Sequence, residues 1–307
     1  MDALAVILEA PERLALRPLA LVPMGPSDLM VEIAYSGISS GTEKLLWSGR
    51  MPAFPGFGYP LVPGYESVGR VVDGGVEVRG RIGEWVFVPG ASCFTDARGL
   101  FGGSARRLIV PSARVAPVPE SLGHHGTLLA LAATAHHVVA GGAAPELVIG
   151  HGVLGMLIAR IALALAADPP TVWEIRADRR DAYDYDVIAP DTDPRSDYAV
   201  ICDASGGVTL DALVARLRRG GEIVLAGFYD RLDFAFAPAF QREARLRIAA
   251  EFTPADIAAV LELLGAGLLS FDGCISHIRP ADRAAEAYPM AFTDPECRKM
   301  VLDWSAL

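Results

Sequence analysis

Hydrophobic and polar positions divide the chain into three stretches with different periods. Up to about residue 118, short apolar runs recur between Gly and Pro: Ala3 to Leu8, Leu29 to Ala34, Val68 to Val72, Trp85 to Val88 and Arg107 to Val110. Strands this short, interrupted this often, predict a small irregular β barrel rather than a layered sheet. Around Pro117-Val118-Pro119 the pattern turns to an Ala/Leu-rich helix, Leu122 to Ala140. Alternating units follow, with strands expected at 146–150, 171–175, 185–188, 198–203, 221–226 and 245–250, the signature of a parallel sheet flanked by helices. Beyond Thr253 the pattern predicts a helix from Ala255 to Leu264, a strand from Gly273 to Ile278, a helix from Pro280 and a last strand ending at Trp304.

Two connections in the central stretch are short. Arg176 to Asp184 and Ala189 to Asp197 leave less chain than a full crossover helix generally needs. One or two crossover helices are therefore expected to be reduced to a turn.

The run LVIGHGVLGMLIARIALALAA carries the chemistry that is easiest to read. A buried strand, Leu147-Val148-Ile149, leads into Gly150-His151-Gly152-Val153-Leu154-Gly155 and then into a helix from about Met156 to Ala166. This is the strand–turn–helix setting that a dinucleotide fingerprint requires. Gly150 permits the tight turn, Gly152 admits a pyrophosphate to the backbone, and Gly155 lets helix and strand approach. The N–H groups at the helix start, from Val153 and Leu154 onward, favour the phosphates. Nineteen residues beyond Gly155, Glu174 closes the next strand, where a carboxylate takes the ribose hydroxyls and repels a 2′-phosphate. NAD is the expected cofactor. Arg176 is a further candidate cofactor contact, and Arg176, Arg179 and Arg180 are cations that could instead hold a 2′-phosphate, against which Glu174 argues; His151 is placed to meet pyrophosphate or ribose unless it simply faces solvent.

Composition excludes several alternatives. The net charge of −10 argues against general nucleic-acid binding, which needs clustered Lys and Arg. Four isolated cysteines (Cys93, Cys202, Cys274, Cys297) give neither a CxxC metal pair nor a disulfide framework. The apolar stretch from Val153 to Ala167 contains Arg160 and is too short to span a bilayer. With a strand-like run at its start and no evident targeting segment, a cytoplasmic protein is expected.

Two further segments carry a family resemblance over essentially the whole chain. Pro63-Gly64-Tyr65-Glu66-Ser67-Val68-Gly69 is similar to a GHExxG segment, and Ser36-Gly37-Ile38-Ser39-Ser40-Gly41-Thr42-Glu43 to a CGICGTD-like stretch. Both resemble the medium-chain dehydrogenase/reductase superfamily. The resemblance implies an α/β protein: a GroES-like β barrel of residues 1–118, completed by about 254–307, and a doubly wound Rossmann NAD domain of residues 119–253. In zinc-dependent members the two segments supply a histidine and a cysteine ligand. Here Tyr65 and Ser39 (or Ser40) stand at those positions, and Leu129 to Thr134 offers no third ligand. No metal is expected, because a catalytic zinc needs three good donors.

A longer resemblance, in Met51 to Glu66, Val88 to Ala91 and Arg98 to Gly103, is to the branch that oxidises a 3-(1-hydroxyethyl) group on a bacteriochlorin to 3-acetyl with NAD. It implies a chlorin or bacteriochlorin substrate. Without zinc a side chain must handle the hydroxyl proton. Tyr65 is the first candidate to contact the substrate oxygen; otherwise its ring fills the vacated metal space. A phenol titrates near ~10, so it acts as a base only beside a cation, and Lys44 is the candidate cation. Ser39 and Thr42 are candidate proton relays, with local hydrogen bonding in the loop the stronger expectation for both. Glu66 is either a base or the structural partner of a buried cation. Of the adjacent His136 and His137, only one is expected to face the cleft, and His136 is the candidate of the two, with a packing role the stronger expectation for it. Trp47, Phe54, Phe57 and Tyr59 form a loop suited to a flat conjugated ring, and Arg50 and Arg98 are cations for a propionate. A zinc-free quinone or enone reductase using NAD(P)H, and a non-catalytic nucleotide-binding protein, remain open alternatives. By analogy with dimeric relatives, the edge strand Ala244 to Ala250 is expected to pair in a homodimer.

Overall fold

The computed structural model describes residues 1–53, 55–180, 183–227, 229 and 231–307. The chain divides into two compact units, Met1–Ala130 with Phe271–Leu307, and Leu131–Ser270.

The first unit opens with strands β1 (Asp2–Ala10), β2 (Arg13–Ala20) and β3 (Asp28–Ile38), then the short helix α1 (Thr42–Trp47). Strands β4 (Leu61–Val62), β5 (Ser67–Gly74), β6 (Trp85–Val88), β7 (Arg98–Gly99), β8 (Arg107–Pro111) and β9 (Ala116–Pro117) follow. Helix α2 runs from Leu129 to Ala140. The expected single helix from Leu122 is interrupted: Glu120–Leu128 winds as 3-10 turns broken at Gly123, whose φ of +49° no continuous helix accommodates.

The second unit is a six-stranded parallel sheet. Its elements are β10 (Leu147–Ile149), α3 (Val153–Ala164), β11 (Thr171–Trp173), β12 (Val187–Ile188), β13 (Tyr198–Asp203), α4 (Leu210–Arg216), β14 (Leu217–Leu225), α5 (Phe236–Arg242), β15 (Arg245–Ile248) and α6 (Pro254–Gly265). Their order, β12-β11-β10-β13-β14-β15, is doubly wound, and the direction of strand addition reverses between β10 and β13. The two short connections bear out the trimmed crossovers, for among the described residues each holds a single 3-10 turn, Ala177–Arg179 or Pro190–Thr192.

Asp193 takes over the packing that a crossover helix would provide. Its carboxylate accepts Trp173 Nε1–H and the Tyr198 hydroxyl, each at 2.7 Å, and the Arg195 amide at 2.9 Å. The Arg216 guanidinium donates to the Asp193 carbonyl at 2.7 Å and lies over the Trp173 ring.

The chain then returns to the first unit as β16 (His277–Pro280), α7 (Ala284–Thr293) and β17 (Met300–Asp303). Strand β17 pairs antiparallel with β3, Met300 opposite Ile38, and Trp304 Nε1–H donates to Ser36 Oγ at 2.9 Å. One sheet runs β16-β17-β3-β5-β6-β9 with β8 on β3, and a second runs β2-β1-β4-β7. Their inner faces share a core that includes Val6, Ile7, Leu29, Val31, Ile33, Val86, Leu108 and Trp304.

Both boundaries lie beyond the expected 118/119 and 253/254. The segment after Pro119 packs on the barrel, with Gly126 tight against Val68. Helix α6 stays with the nucleotide unit because Asp256 in its first turn bonds His136 and His137 of α2.

Candidate active site

In the second unit, Ile149 leads into Gly150 at φ +91°, a conformation that a side chain resists. A Cβ on Gly155 would lie 1.9 Å from the Gly150 carbonyl oxygen, so the helix reaches the strand only through glycine. Gly152 differs. It is the N-cap of α3 without a side-chain cap, and a Cβ there would meet nothing within 4 Å. Open space above uncapped helix N–H groups fits a pyrophosphate.

Glu174 is buried against this turn, where its Oε2 accepts the His151 amide at 3.1 Å and its Oε1 the Arg176 amide at 2.8 Å. Two backbone donors thus hold this carboxylate at the end of the glycine turn. The Arg176 guanidinium pairs with Asp178, away from the carboxylate that its own amide holds.

His151 is not exposed. Its Nε2 lies 2.9 Å from the Tyr185 hydroxyl and its Nδ1 3.0 Å from the Arg179 carbonyl, with Tyr183 edge-on to the ring. The imidazole braces the turn, and neither ring nitrogen is left to a phosphate.

In the first unit, the Tyr65 hydroxyl donates to Ser39 Oγ at 2.8 Å. Ser39 is buried at the end of β3, whereas Ser40 is exposed, so Ser39 occupies the inner position. Burial and then the Glu66 charge push the Tyr65 phenol above its usual range, against the opposing bonds of Ser39 and Thr42. A phenol so placed keeps its proton at rest. The structure does not bring Lys44 to it: Lys44 is exposed and its ammonium donates to the Phe292 carbonyl at 3.4 Å.

The buried cation of this region is Lys299, which pairs with Glu66 Oε2. Glu66 is fully buried, and its Oε1 has no hydrogen-bond partner among the described residues. Gly37 makes room for the pair, since a Cβ there would come within 2.3 Å of Glu66 Oε2. Glu43, also fully buried, accepts the Ser39 amide at 3.1 Å and the Tyr288 hydroxyl at 2.7 Å. Burial raises its carboxyl from 4.5 to about 7, against the lowering by Tyr288 and Ser39.

Sequence reasoning missed Glu43, Tyr288 and Lys299. The signal for Lys299 was compositional: the chain has only two lysines, and this one directly precedes the apolar run Met300-Val301-Leu302.

His136 is engaged elsewhere. Its Nδ1 bonds Asp256 at 2.7 Å and that of His137 bonds the same carboxylate at 3.2 Å, so both adjacent histidines turn one way. Asp256 also accepts from Thr253 in the capping box of α6. Both rings serve packing at a helix start.

Of the aromatic loop, Phe57 and Tyr59 meet edge to face at 5.5 Å and Tyr65 meets Phe101 likewise at 5.2 Å. Phe57, Tyr59 and Phe101 pack on one cluster with Leu8, Leu46 and Leu61. Trp47 joins the core, within 6.4 Å of both Tyr288 and Phe292. Phe54 lies outside the described residues. Arg98 is held by the Phe57 carbonyl at 3.0 Å, and Arg50 by Ser48 at 3.2 Å.

The donor set Ser39–Tyr65 does not fit zinc, because both hydroxyls are protonated and bonded to each other, with no thiolate or imidazole beside them. No group of three metal-ligating side chains occurs among the described residues.

Comparison with known proteins agrees with this geometry. The alcohol dehydrogenase GroES-like domain family matches residues 25–120. The chain is 54% identical over 310 residues to a 2-desacetyl-2-hydroxyethyl bacteriochlorophyllide A dehydrogenase of Rhodobacter capsulatus, covering 99% of each. The protein of the same description from Cereibacter sphaeroides is 53% identical over 316 residues, covering 100% of this chain and 99% of that one. The chain belongs to the bacteriochlorophyllide a dehydrogenase family, a zinc-independent branch of the medium-chain dehydrogenases/reductases. It is thus an NAD-dependent dehydrogenase acting on a CH–OH group. The fold is shared with a short chain alcohol dehydrogenase of E. coli CFT073 solved with NADH (TM-score 0.84, 20% identity, 99% of each chain). Among the described residues no helix is long and apolar enough to cross a membrane.

Proposed function

We propose that the chain oxidises the 3-(1-hydroxyethyl) group of a bacteriochlorophyllide to 3-acetyl, a step in bacteriochlorophyll a biosynthesis. The observation that carries this reading is the full-length identity of 53–54% to two dehydrogenases described by that pigment. The Tyr65–Ser39 hydroxyl pair supports it, because an alcohol oxidised without a metal needs a protein group for its proton. Glycines 150, 152 and 155 hold the pyrophosphate and Glu174 the ribose. The bound cofactor supplies one thing, a nicotinamide ring that accepts hydride. Glu174 weighs against the reductase alternative, whose NADPH carries a 2′-phosphate.

The acting form is a homodimer, paired through the open edge of β15. That edge carries exposed Leu246 and Ile248, with Phe236 and Phe240 of α5 exposed nearby in sequence.

The test is direct. Purified protein given the hydroxyethyl pigment and NAD should form NADH with a red shift of the pigment absorbance. Failure to turn over, together with quinone-dependent oxidation of NADPH, would establish the reductase instead.

A further inference from the structure

We propose that Glu43 receives the proton released by the substrate alcohol, passed to it through Tyr65 and Ser39. This deepens the function proposed above and rests on it.

Ser39 is the bridge. Its hydroxyl accepts from Tyr65 at 2.8 Å, and its amide holds Glu43 Oε1 at 3.1 Å. Glu43 has no exposed surface, and Tyr288 fixes its second oxygen at 2.7 Å. The cluster contains two buried carboxylates and one buried ammonium. Lys299 spends its charge on Glu66, which leaves Glu43 as the carboxylate with most to gain from a proton. The groups facing it are Tyr288 from α7, Ser39 at the end of β3, Tyr65 and Glu66 from the loop before β5, and Lys299 from the residue before β17. Its affinity near 7 matches an acceptor working in neutral solution.

The step balances as follows. The substrate hydroxyl proton moves to the Tyr65 oxygen as the Tyr65 proton moves to Ser39 Oγ. In the same event the Ser39 hydroxyl gives its own proton to Glu43, whose Oε1 the Ser39 amide already holds, so no charged serine forms. The C–H electron pair departs with the hydride, and C=O forms. Alcohol, carboxylate and oxidised cofactor become ketone, carboxylic acid and reduced cofactor. Tyr65 gains and loses a proton in one event, so a phenol whose resting proton is firmly held still serves.

The experiment measures kcat against pH for the full-length enzyme with pigment and NAD, in wild type, Glu43→Gln, Glu43→Asp and Ser39→Ala, with NADH affinity as a control. Wild type should lose about tenfold per pH unit below an inflection near 7. Glu43→Gln should lack that inflection and run about 100-fold slower above it, with NADH affinity unchanged. Glu43→Asp should restore a displaced inflection, which a merely structural role would not do. A Glu43→Gln enzyme with the wild-type profile overturns the inference. If that variant does not fold, Ser39→Ala at the wild-type rate overturns it equally. Absence of pigment turnover by wild type overturns the proposed function itself, a distinguishable failure.

Discussion

Tyr65 donates its hydroxyl hydrogen to Ser39 Oγ across 2.8 Å. Tyr65→Phe keeps the ring against Phe101 and removes only the oxygen. Its kcat for the pigment should fall by about 100-fold while NADH affinity stays as in wild type, measured by steady-state kinetics and cofactor titration. An unchanged kcat would remove Tyr65 from the proton path.

Gly152 and Gly155 separate binding from folding. Gly152→Ala meets no protein atom within 4 Å, so its Tm should match wild type while the new methyl weakens NADH binding by tenfold or more. Gly155→Ala drives a Cβ to 1.9 Å from the Gly150 carbonyl and should cost about 2 kcal/mol or more of stability. Thermal melts and NADH titration of the two variants check both halves; equal losses of Tm would contradict the account.

The Glu66–Lys299 pair is buried on both sides. Lys299→Met leaves the Glu66 charge alone and should destabilise by roughly 3–5 kcal/mol, read by denaturant unfolding. The double variant Glu66→Gln with Lys299→Met should recover part of that loss, because no buried charge then lacks a partner.

Glu43 sets a sign for stability against pH. Its folded carboxyl binds a proton up to about 7 and its ordinary value is 4.5. Between those values the folded chain holds a proton that the unfolded chain has released, so this contribution is complete below 4.5 and lost as pH rises through 7. Relative to Glu43→Gln, wild type should lose stability on the order of 3 kcal/mol across that window. A difference that does not change with pH would show that Glu43 titrates in its ordinary range.

Asp193 stands in for a missing crossover helix, accepting from Trp173, Tyr198 and Arg195. Asp193→Ala strands two buried ring donors and should cost about 2–6 kcal/mol by chemical unfolding, at two unsatisfied groups of ~1–3 kcal/mol each. These bonds hold its carboxyl below the usual carboxylate value despite the opposing effect of burial, so the stabilisation is present above 3.8 and fades as pH falls further.

What the sequence revealed was local. Strand period and glycine spacing placed Leu147 to Gly155 and the strand Tyr198–Asp203, whose bounds agree with expectation. Nine-residue gaps marked the trimmed crossovers. What stayed hidden depends on partners distant in the chain: Lys299 meets Glu66 across 233 positions and Tyr288 meets Glu43 across 245. No local pattern announces such pairs. The same holds for His136 and His137, whose common direction is set by Asp256, 119 and 120 positions away. The run from Leu122 was misread because one glycine, Gly123, suffices to stop a helix.

Proton transfer from the alcohol is proposed to run through Tyr65 and Ser39 with no metal ion taking part. The most direct measurement is pigment turnover by the purified enzyme after exhaustive removal of divalent metal, with metal content determined on the same sample. Full turnover without zinc is the predicted result. Turnover lost on chelation and restored by zinc at one ion per chain would contradict it.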